Sequence, residues 1–303
     1  MKKPLPCITY NIYSRKLLKI KLVVFSNYST FEGYLKEIQA MELEVLLQIA
    51  VDAALIGGRE IMEVYHSNEF GVERKEDHSP VTLADKRANA VINEILLPTG
   101  IPIISEENKE IEFNQRETWN RCWIVDPLDG TKEFINRNDE FTVNIALVEN
   151  SIPILGVIYV PVTQMMYASI VPRKNLWKQK MIVQDRPISE QVPLSRPRKS
   201  TNQKVVVLKS RSHLNIKTDA LINELRATKP NIEVASVGSS LKFCLIAEGK
   251  ADLYPRIAPT MEWDTAAGHA LCKAVGIELV ETLTNKPLRY NKKELINPSF
   301  IVI

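Results

Sequence analysis

The sequence predicts an α/β protein, with an α+β first half joined to an alternating second half. Three observations carry this. From residue 41 a helical apolar repeat runs through Leu43, Leu46, Leu47, Ala50, Ala54, Met62 and Tyr65, the spacing of a helix with one buried face. Between residues 101 and 160 short apolar runs alternate with turn residues, as buried strands do. From residue 205 onward strand-like and helix-like segments alternate, which points to βα units.

The 303 residues suffice for two domains or one large α/β unit, and 45% hydrophobic content supplies a full core. The net charge of +3 is unevenly spread: residues 1–40 carry seven Lys/Arg against two Asp/Glu. The remainder is close to neutral and gives no electrostatic reason to bind nucleic acid. Cys7, Cys122, Cys244 and Cys272 show no CxxC spacing. They read as reduced thiols of a cytoplasmic protein, and no zinc site is expected.

Residues 17–25 are apolar but interrupted by Lys19 and Lys21. They are too short to span a bilayer, and no small-residue cleavage site follows them. No integral membrane association is expected, although a loose hold at the inner membrane face stays open. The folded part is expected to begin near Met41, with residues 1–40 a flexible extension or an upstream start-site artefact. Residues 41–171 and 172–303 then form an N-terminal metal-binding half and a C-terminal substrate-binding half.

In order, residues 41–65 read as a helix with a weak point at Gly57-Gly58, and residues 73–80 as a charged loop. Residues 82–97 read as a helix stopped by Pro98 and Gly100. Residues 101–104 form a short strand that delivers Ser105-Glu106-Glu107. Residues 121–125 form another that delivers Asp126-Pro127-Leu128-Asp129-Gly130-Thr131, a sextet expected to leave the strand as a loop. Residues 141–148 and 154–160 read as an antiparallel pair turned at Glu149-Asn150-Ser151. Residues 172–203, basic and proline-bearing, suit an exposed hairpin or a connection between halves. Beyond them come strands at 205–208, 232–235 and 251–254, and helices at 217–227, 239–248 and 265–275.

Acidic residues stand at the ends of these elements: Glu106 and Glu107, Asp126 and Asp129, Asp264, and Asp85 early in a helix. Singly each has a plain reading, as a turn, an N-cap or a solvated surface group. Together, Glu106, Asp126, Asp129 and Asp264 supply the oxygen ligands that hard divalent cations take alongside substrate phosphate. Within the sextet, Pro127 biases Asp126 away from helix. Leu128 can offer its carbonyl, Gly130 lets backbone approach a phosphate, and Thr131 can orient water. Lys242, after a Gly-Ser-Ser turn, and Arg256, after a strand, could receive a second phosphate.

The sextet, with Ser105-Glu106-Glu107 before it and Trp263-Asp264 after it, resembles the inositol monophosphatase superfamily of lithium-sensitive, Mg²⁺-dependent phosphatases. Residues 126–147, Ser79-Pro80-Val81-Thr82, Ser210-Arg211-Ser212-His213, residues 238–249 and Leu253-Tyr254-Pro255-Arg256 resemble its CysQ-type 3′(2′),5′-bisphosphate nucleotidases. The resemblance covers residues 41–303. It implies an α-β-α-β-α layered sandwich and hydrolysis of adenosine 3′,5′-bisphosphate to AMP and phosphate with two or three Mg²⁺ per site. By motif position Glu106, Asp126, Leu128 (carbonyl), Asp129 and Asp264 are metal ligands. The resemblance also implies that Asp85 and Thr131 orient and deprotonate water and that Glu107 supports the metal shell. Gly130, Thr131, His213, Ser239, Lys242 and Arg256 contact substrate. His78 stands where relatives often carry Asn, and Asn108 where they often carry an acid.

Three rivals remain. An inositol monophosphate or another sugar phosphate could be the substrate of the same machinery. An aspartyl-phosphate phosphatase usually wants Asp-x-Asp, not the Asp-x-x-Asp here. A catalytically idle nucleotide sensor is the reading of another class. No GxxxxGK[ST] loop is present, which removes the commonest NTPase reading. A monomer or a homodimer is equally compatible with the sequence.

Overall fold

The computed structural model describes residues 31–67, 69–74, 80–181, 191–195, 204–212, 215–228 and 231–303, with the side chains of 31–36 excepted. The expected site residue His213, the noted departure His78, the motif residue Ser79, and residues 1–30 of the expected leader lie outside them.

Helix α1 (Phe31–Ser67) starts ahead of Met41, and its first buried side chain among those described is Leu43. It runs unbroken through Gly57-Gly58, against the expectation of a weak point. The reason is packing: a Cβ on Gly57 would lie 2.8 Å from Ile92 Cδ1, and one on Gly58 2.4 Å from Tyr159 Cε1. The missing side chains let α1 close onto its neighbours, helix α2 (Leu83–Leu96) and the sheet.

That sheet has seven strands in sequential order: β1 (Ile103–Ser105), β2 (Arg121–Asp129), β3 (Thr142–Glu149), β4 (Ile152–Val160), β5 (Met165–Ile170), β6 (Asn175–Lys180) and β7 (Val192–Pro193). β1 and β2 are parallel and the later pairs antiparallel. The expected hairpin is β3–β4, turned at Asn150 and Ser151, both at positive φ, as a two-residue hairpin loop requires. Residues 172–203 do more than connect, because β6 and β7 extend this sheet.

Alternate residues feed two cores. Trp123, Val125, Val143, Ile145 and Val157 pack with α1 and α2. Cys122, Ile124, Ala146 and Ile158 face helices α5 (Leu241–Ala247) and α6 (Glu262–Ala274). Cover on both faces explains why these strands read as continuous apolar runs.

The second sheet begins with β8 (Val205–Ser210), joined through helix α4 (Ile216–Thr228) to its parallel partner β9 (Ile232–Val237). Helix α3 is the short Thr131–Ile135. A bridge from Val207 to Leu253 leads to β10 (Tyr254–Arg256). β10 pairs with β12 (Phe300–Val302), which also pairs with β11 (Leu279–Glu281). The expected strand at 251–254 is thus shifted, and Arg256 lies inside it. The result is the α-β-α-β-α layering, with α5 and α6 between the sheets.

Candidate active site

The sextet does not leave β2 as a loop. The strand continues to Asp129 with a register shift: Asp126 pairs with Asn144, and pairing resumes at Asp129 with Thr142. One extra residue is accommodated there, next to Pro127, which has no N–H to give the ladder. Leu128 N–H turns inward instead, to Asp126 Oδ1 at 3.1 Å. In a regular strand residues i and i+3 face opposite ways. The bulge rephases them, and both aspartates line one cleft of about 200 Å³.

Gly130 (φ 93°) ends the strand in the left-handed region. A Cβ there would lie 3.0 Å from Glu140 O and 3.2 Å from Ser239 Cβ. Helix α3 follows at once, so Thr131 faces back towards the strand end. Its Oγ1 lies 3.1 Å from Asp85 Oδ1 and 3.3 Å from Leu128 O.

Asp85 stands at the third position of α2, where Thr82 is the N-cap. Asp85 Oδ2 accepts from Thr82 N–H at 2.7 Å and Thr82 Oγ1 at 2.5 Å, a capping box. Burial pushes its carboxyl up to about 6, against the pull of the Thr82 hydrogen bonds and with a further push from Glu107. Asp85 does not line the cleft; Thr131 does, and it links the two.

Glu106 follows β1, its N–H donating to Val125 O at 3.2 Å, so the β1–β2 pairing sets it beside Asp126. Asp264 is at the third position of α6, where its Oδ2 accepts from Met261 N–H at 2.8 Å. The helix starts earlier than expected, so Asp264 sits inside its first turn rather than before it. Glu106, Asp126 and Asp264 bring carboxylate oxygens within 4.8 Å of one another. Asp129 is outside that trio but lines the same cleft.

Crowding shows in the electrostatics. Burial, then the charges of Glu106, Asp129 and Asp264, raise the Asp126 carboxyl well above the carboxylate range. Burial with Asp129 and Glu106 pushes Asp264 up to about 8. Burial also raises Asp129, with Lys242 and an Asn144 hydrogen bond pulling it back. A buried set of oxygen donors that resist ionisation together is one that a hard divalent cation fits and neutralises.

Across the cleft, burial pushes the Lys242 ammonium down to about 8, opposed by Asp129. Its Nζ donates to Val237 O at 3.1 Å and to Ser239 O. Ser239 is a non-glycine residue at φ 43°. Arg256 donates from a terminal nitrogen to Pro259 O at 3.2 Å, while its buried Nε has no hydrogen-bond partner among the described residues. Gly130, Ser239, Lys242 and Arg256 all line the cleft; Glu107 does not.

Sequence reasoning missed Asn144. Its Nδ2 donates to Asp129 Oδ2 at 3.3 Å, and its Oδ1 accepts from Ser240 Oγ at 2.7 Å and Thr142 Oγ1 at 3.1 Å. The signal was an amide next to the apolar run of a buried strand, since a buried polar group needs partners. No described helix is long and apolar enough to cross a membrane.

Known proteins resemble this chain in sequence and in fold. The inositol monophosphatase family profile matches residues 42–299. The 3′(2′),5′-bisphosphate nucleotidase CysQ of Escherichia coli K12 is 44% identical over 264 residues, 86% of this chain and 98% of that protein. The CysQ of Salmonella typhimurium LT2 is 45% identical over the same shares. The crystal structure of CysQ from Bacteroides thetaiotaomicron superposes with a TM-score of 0.75 at 46% identity, covering 84% of this chain and 96% of that one. The extragenic suppressor protein suhB of Bartonella henselae shares the fold, with a TM-score of 0.66 at 22% identity over 85% and 93% of the two chains. On sequence and fold together, the chain belongs to the inositol monophosphatase family.

Proposed function

We propose that this chain is a Mg²⁺-dependent phosphomonoesterase that hydrolyses adenosine 3′,5′-bisphosphate to AMP and phosphate, the activity named for its CysQ relatives. The observation that carries the reading is the convergence of Glu106, Asp126 and Asp264 in one cleft, with the Thr131–Asp85 pair on one side and Lys242 and Arg256 on the other.

Glu106, Asp126, Asp129, Asp264 and the Leu128 carbonyl would hold two or three Mg²⁺ ions. When bound, such ions lower the pKa of water and stabilise charge on a transferring phosphoryl group. Glu107 is assigned to support of this shell from its motif position, and its charge adds to the rise of the Asp85 carboxyl. The Thr131 hydroxyl orients the attacking water. The proton that water sheds passes along Thr131 Oγ1 to Asp85, whose carboxyl, at about 6, is a base matched to neutral pH. Water oxygen bonds to phosphorus, the bond from phosphorus to the 3′-oxygen breaks, and that oxygen leaves as a hydroxyl by taking a proton from solvent, to which Asp85 returns the one it received. The backbone at Gly130 gives the reacting phosphate room to approach. Lys242 and Arg256, with Ser239, hold the 5′-phosphate that is not hydrolysed through charge-assisted hydrogen bonds. His213 is assigned to the nucleotide from its motif alone.

Phosphate release measured with Mg²⁺ on adenosine 3′,5′-bisphosphate, inositol monophosphate and fructose 1,6-bisphosphate tests the reading. The bisphosphate nucleotide is expected to be the preferred substrate, with lithium inhibiting. Preference for a sugar phosphate overturns the substrate assignment. A phosphoenzyme trapped on Asp126 or Asp129 overturns direct attack by water. A protein that binds the nucleotide but releases no phosphate is a sensor.

A further inference from the structure

The motif Ser210-Arg211-Ser212 contributes its two central contacts away from the carboxylate cluster. Arg211 Nε and one terminal nitrogen each lie 2.7 Å from the Glu140 carboxylate, a bidentate pair. The same Glu140 Oε2 accepts Gly238 N–H at 2.6 Å. Arg211 also donates to Ser236 O at 2.9 Å, and its backbone N–H reaches Val237 O at 3.3 Å. Beside it Ser212 Oγ donates to Glu133.

Residues 236–239 are therefore held from both halves of the chain. A Cβ on Gly238 would lie 2.8 Å from Glu133 Cγ and 2.9 Å from Glu140 Cβ, so the turn is seated directly on the segment that follows the aspartate sextet. The carbonyls of this turn, Val237 O and Ser239 O, are the acceptors that hold Lys242 Nζ. Glu140 and Arg211 do not line the cleft; they fix the backbone that aims its buried ammonium.

We infer that Arg211 and Glu140 are positioning residues that set the Gly238-Ser239 turn, and through it the grip of Lys242 on the phosphate that is not hydrolysed. The pair thereby governs preference for a bisphosphate over a monophosphate nucleotide. The inference rests on the reading of Lys242 as a holder of the 5′-phosphate. A bidentate guanidinium fork suits the task because it fixes orientation as well as charge, which a lysine at 211 cannot do. The pair is also well suited to a test, because both side chains are partly exposed and their loss leaves the cores intact.

The test uses full-length wild type, Glu140→Ala, Arg211→Ala, the double variant and Arg211→Lys. KM and kcat are measured on adenosine 3′,5′-bisphosphate and adenosine 3′-monophosphate, and AMP binding by calorimetry. Each alanine variant is expected to bind AMP about tenfold more weakly and to show a matching rise in KM for the bisphosphate. The monophosphate KM and both kcat values should stay within about twofold, and Arg211→Lys should fall between. The double variant should be no worse than either single one, since both break one unit. Equal losses on both substrates mean a merely structural role and overturn the inference, as do unchanged AMP affinity or additive losses. An active wild type with insensitive variants overturns this inference alone. A wild type that releases no phosphate from the bisphosphate and binds no AMP overturns the functional reading, and this inference with it.

Discussion

Thr131 Oγ1 lies 3.1 Å from Asp85 Oδ1, so residues 46 positions apart share one hydrogen bond at the wall of the cleft. Asp85 is otherwise sealed in by the Thr82 cap. Its contact with the cleft runs through that hydroxyl.

Asp85→Asn keeps an acceptor for Thr82 N–H but removes the base. It is expected to lower kcat by roughly 10²–10⁴-fold, with the melting temperature within a few degrees of wild type. Steady-state kinetics at saturating Mg²⁺ decide it. A loss under tenfold would falsify the relay through Thr131.

Asp126→Asn should separate stability from activity. The amide can still accept Leu128 N–H, while a carboxyl that folding and its acidic neighbours keep from ionising leaves a crowded, buried cluster. Without Mg²⁺ the variant is expected to melt a few degrees above wild type, about 1–2 kcal/mol of repulsion being relieved, and turnover should be abolished. The check is thermal unfolding with a chelator; a lower melting temperature there contradicts the crowding account.

The same carboxyls set a pH dependence. Free aspartates titrate near ~3.9, whereas folding raises Asp85 to about 6 and Asp264 to about 8. Between those limits the folded chain keeps protons that the unfolded chain has released. Stability of the metal-free protein should therefore fall as pH rises from about 4 to about 8. Mg²⁺, which binds the ionised form, should flatten or reverse this trend. Denaturant titrations across that range, with and without Mg²⁺, give the answer. Metal-free stability that rises with pH would count against it.

Gly156 ties the large sheet to the helix that carries Asp264. A Cβ there would lie 2.6 Å from Ala267 O and 2.6 Å from Ala270 Cβ. Gly156→Ala must push α6 off β4, at a destabilisation of about 1–3 kcal/mol. Because Asp264 moves with α6, the Mg²⁺ concentration for half-maximal activity should also rise. Chemical denaturation and a Mg²⁺ titration of activity measure the two effects; an unchanged Mg²⁺ requirement would show that α6 absorbs the strain locally.

Where sequence reading and structure part company, the cause is long-range packing. Gly57-Gly58 reads as a helix weak point by local propensity, yet it lets α1 approach Ile92 and Tyr159. The sextet reads as a loop because Pro127 interrupts the ladder, yet β3 continues to pair beyond it. Asn144 looks like one polar residue in a strand until Asp129, Thr142 and Ser240 close around it. Residues 175–180 carry no long apolar period, but Leu176 and Trp177 are buried by the sheet they join.

The amino-acid order by itself determined the α/β class, the five longer helices, the strands β1 to β4, β8 and β9, and the acidic residues at or near the ends of these elements, but not β5 to β7, β11 or β12. These follow from apolar periodicity, turn residues and the oxygen chemistry of carboxylates, all properties of short stretches of chain. Only the tertiary structure decided that Glu106, Asp126 and Asp264 meet, that Asp85 reaches the cleft through Thr131, and that Arg211 and Glu140 brace the turn beneath Lys242. Those relations depend on a one-residue bulge, on glycines that let helices close onto a sheet, and on burial that shifts every charge in the cleft. None of these has a local signature, because each is set by what a distant segment places opposite.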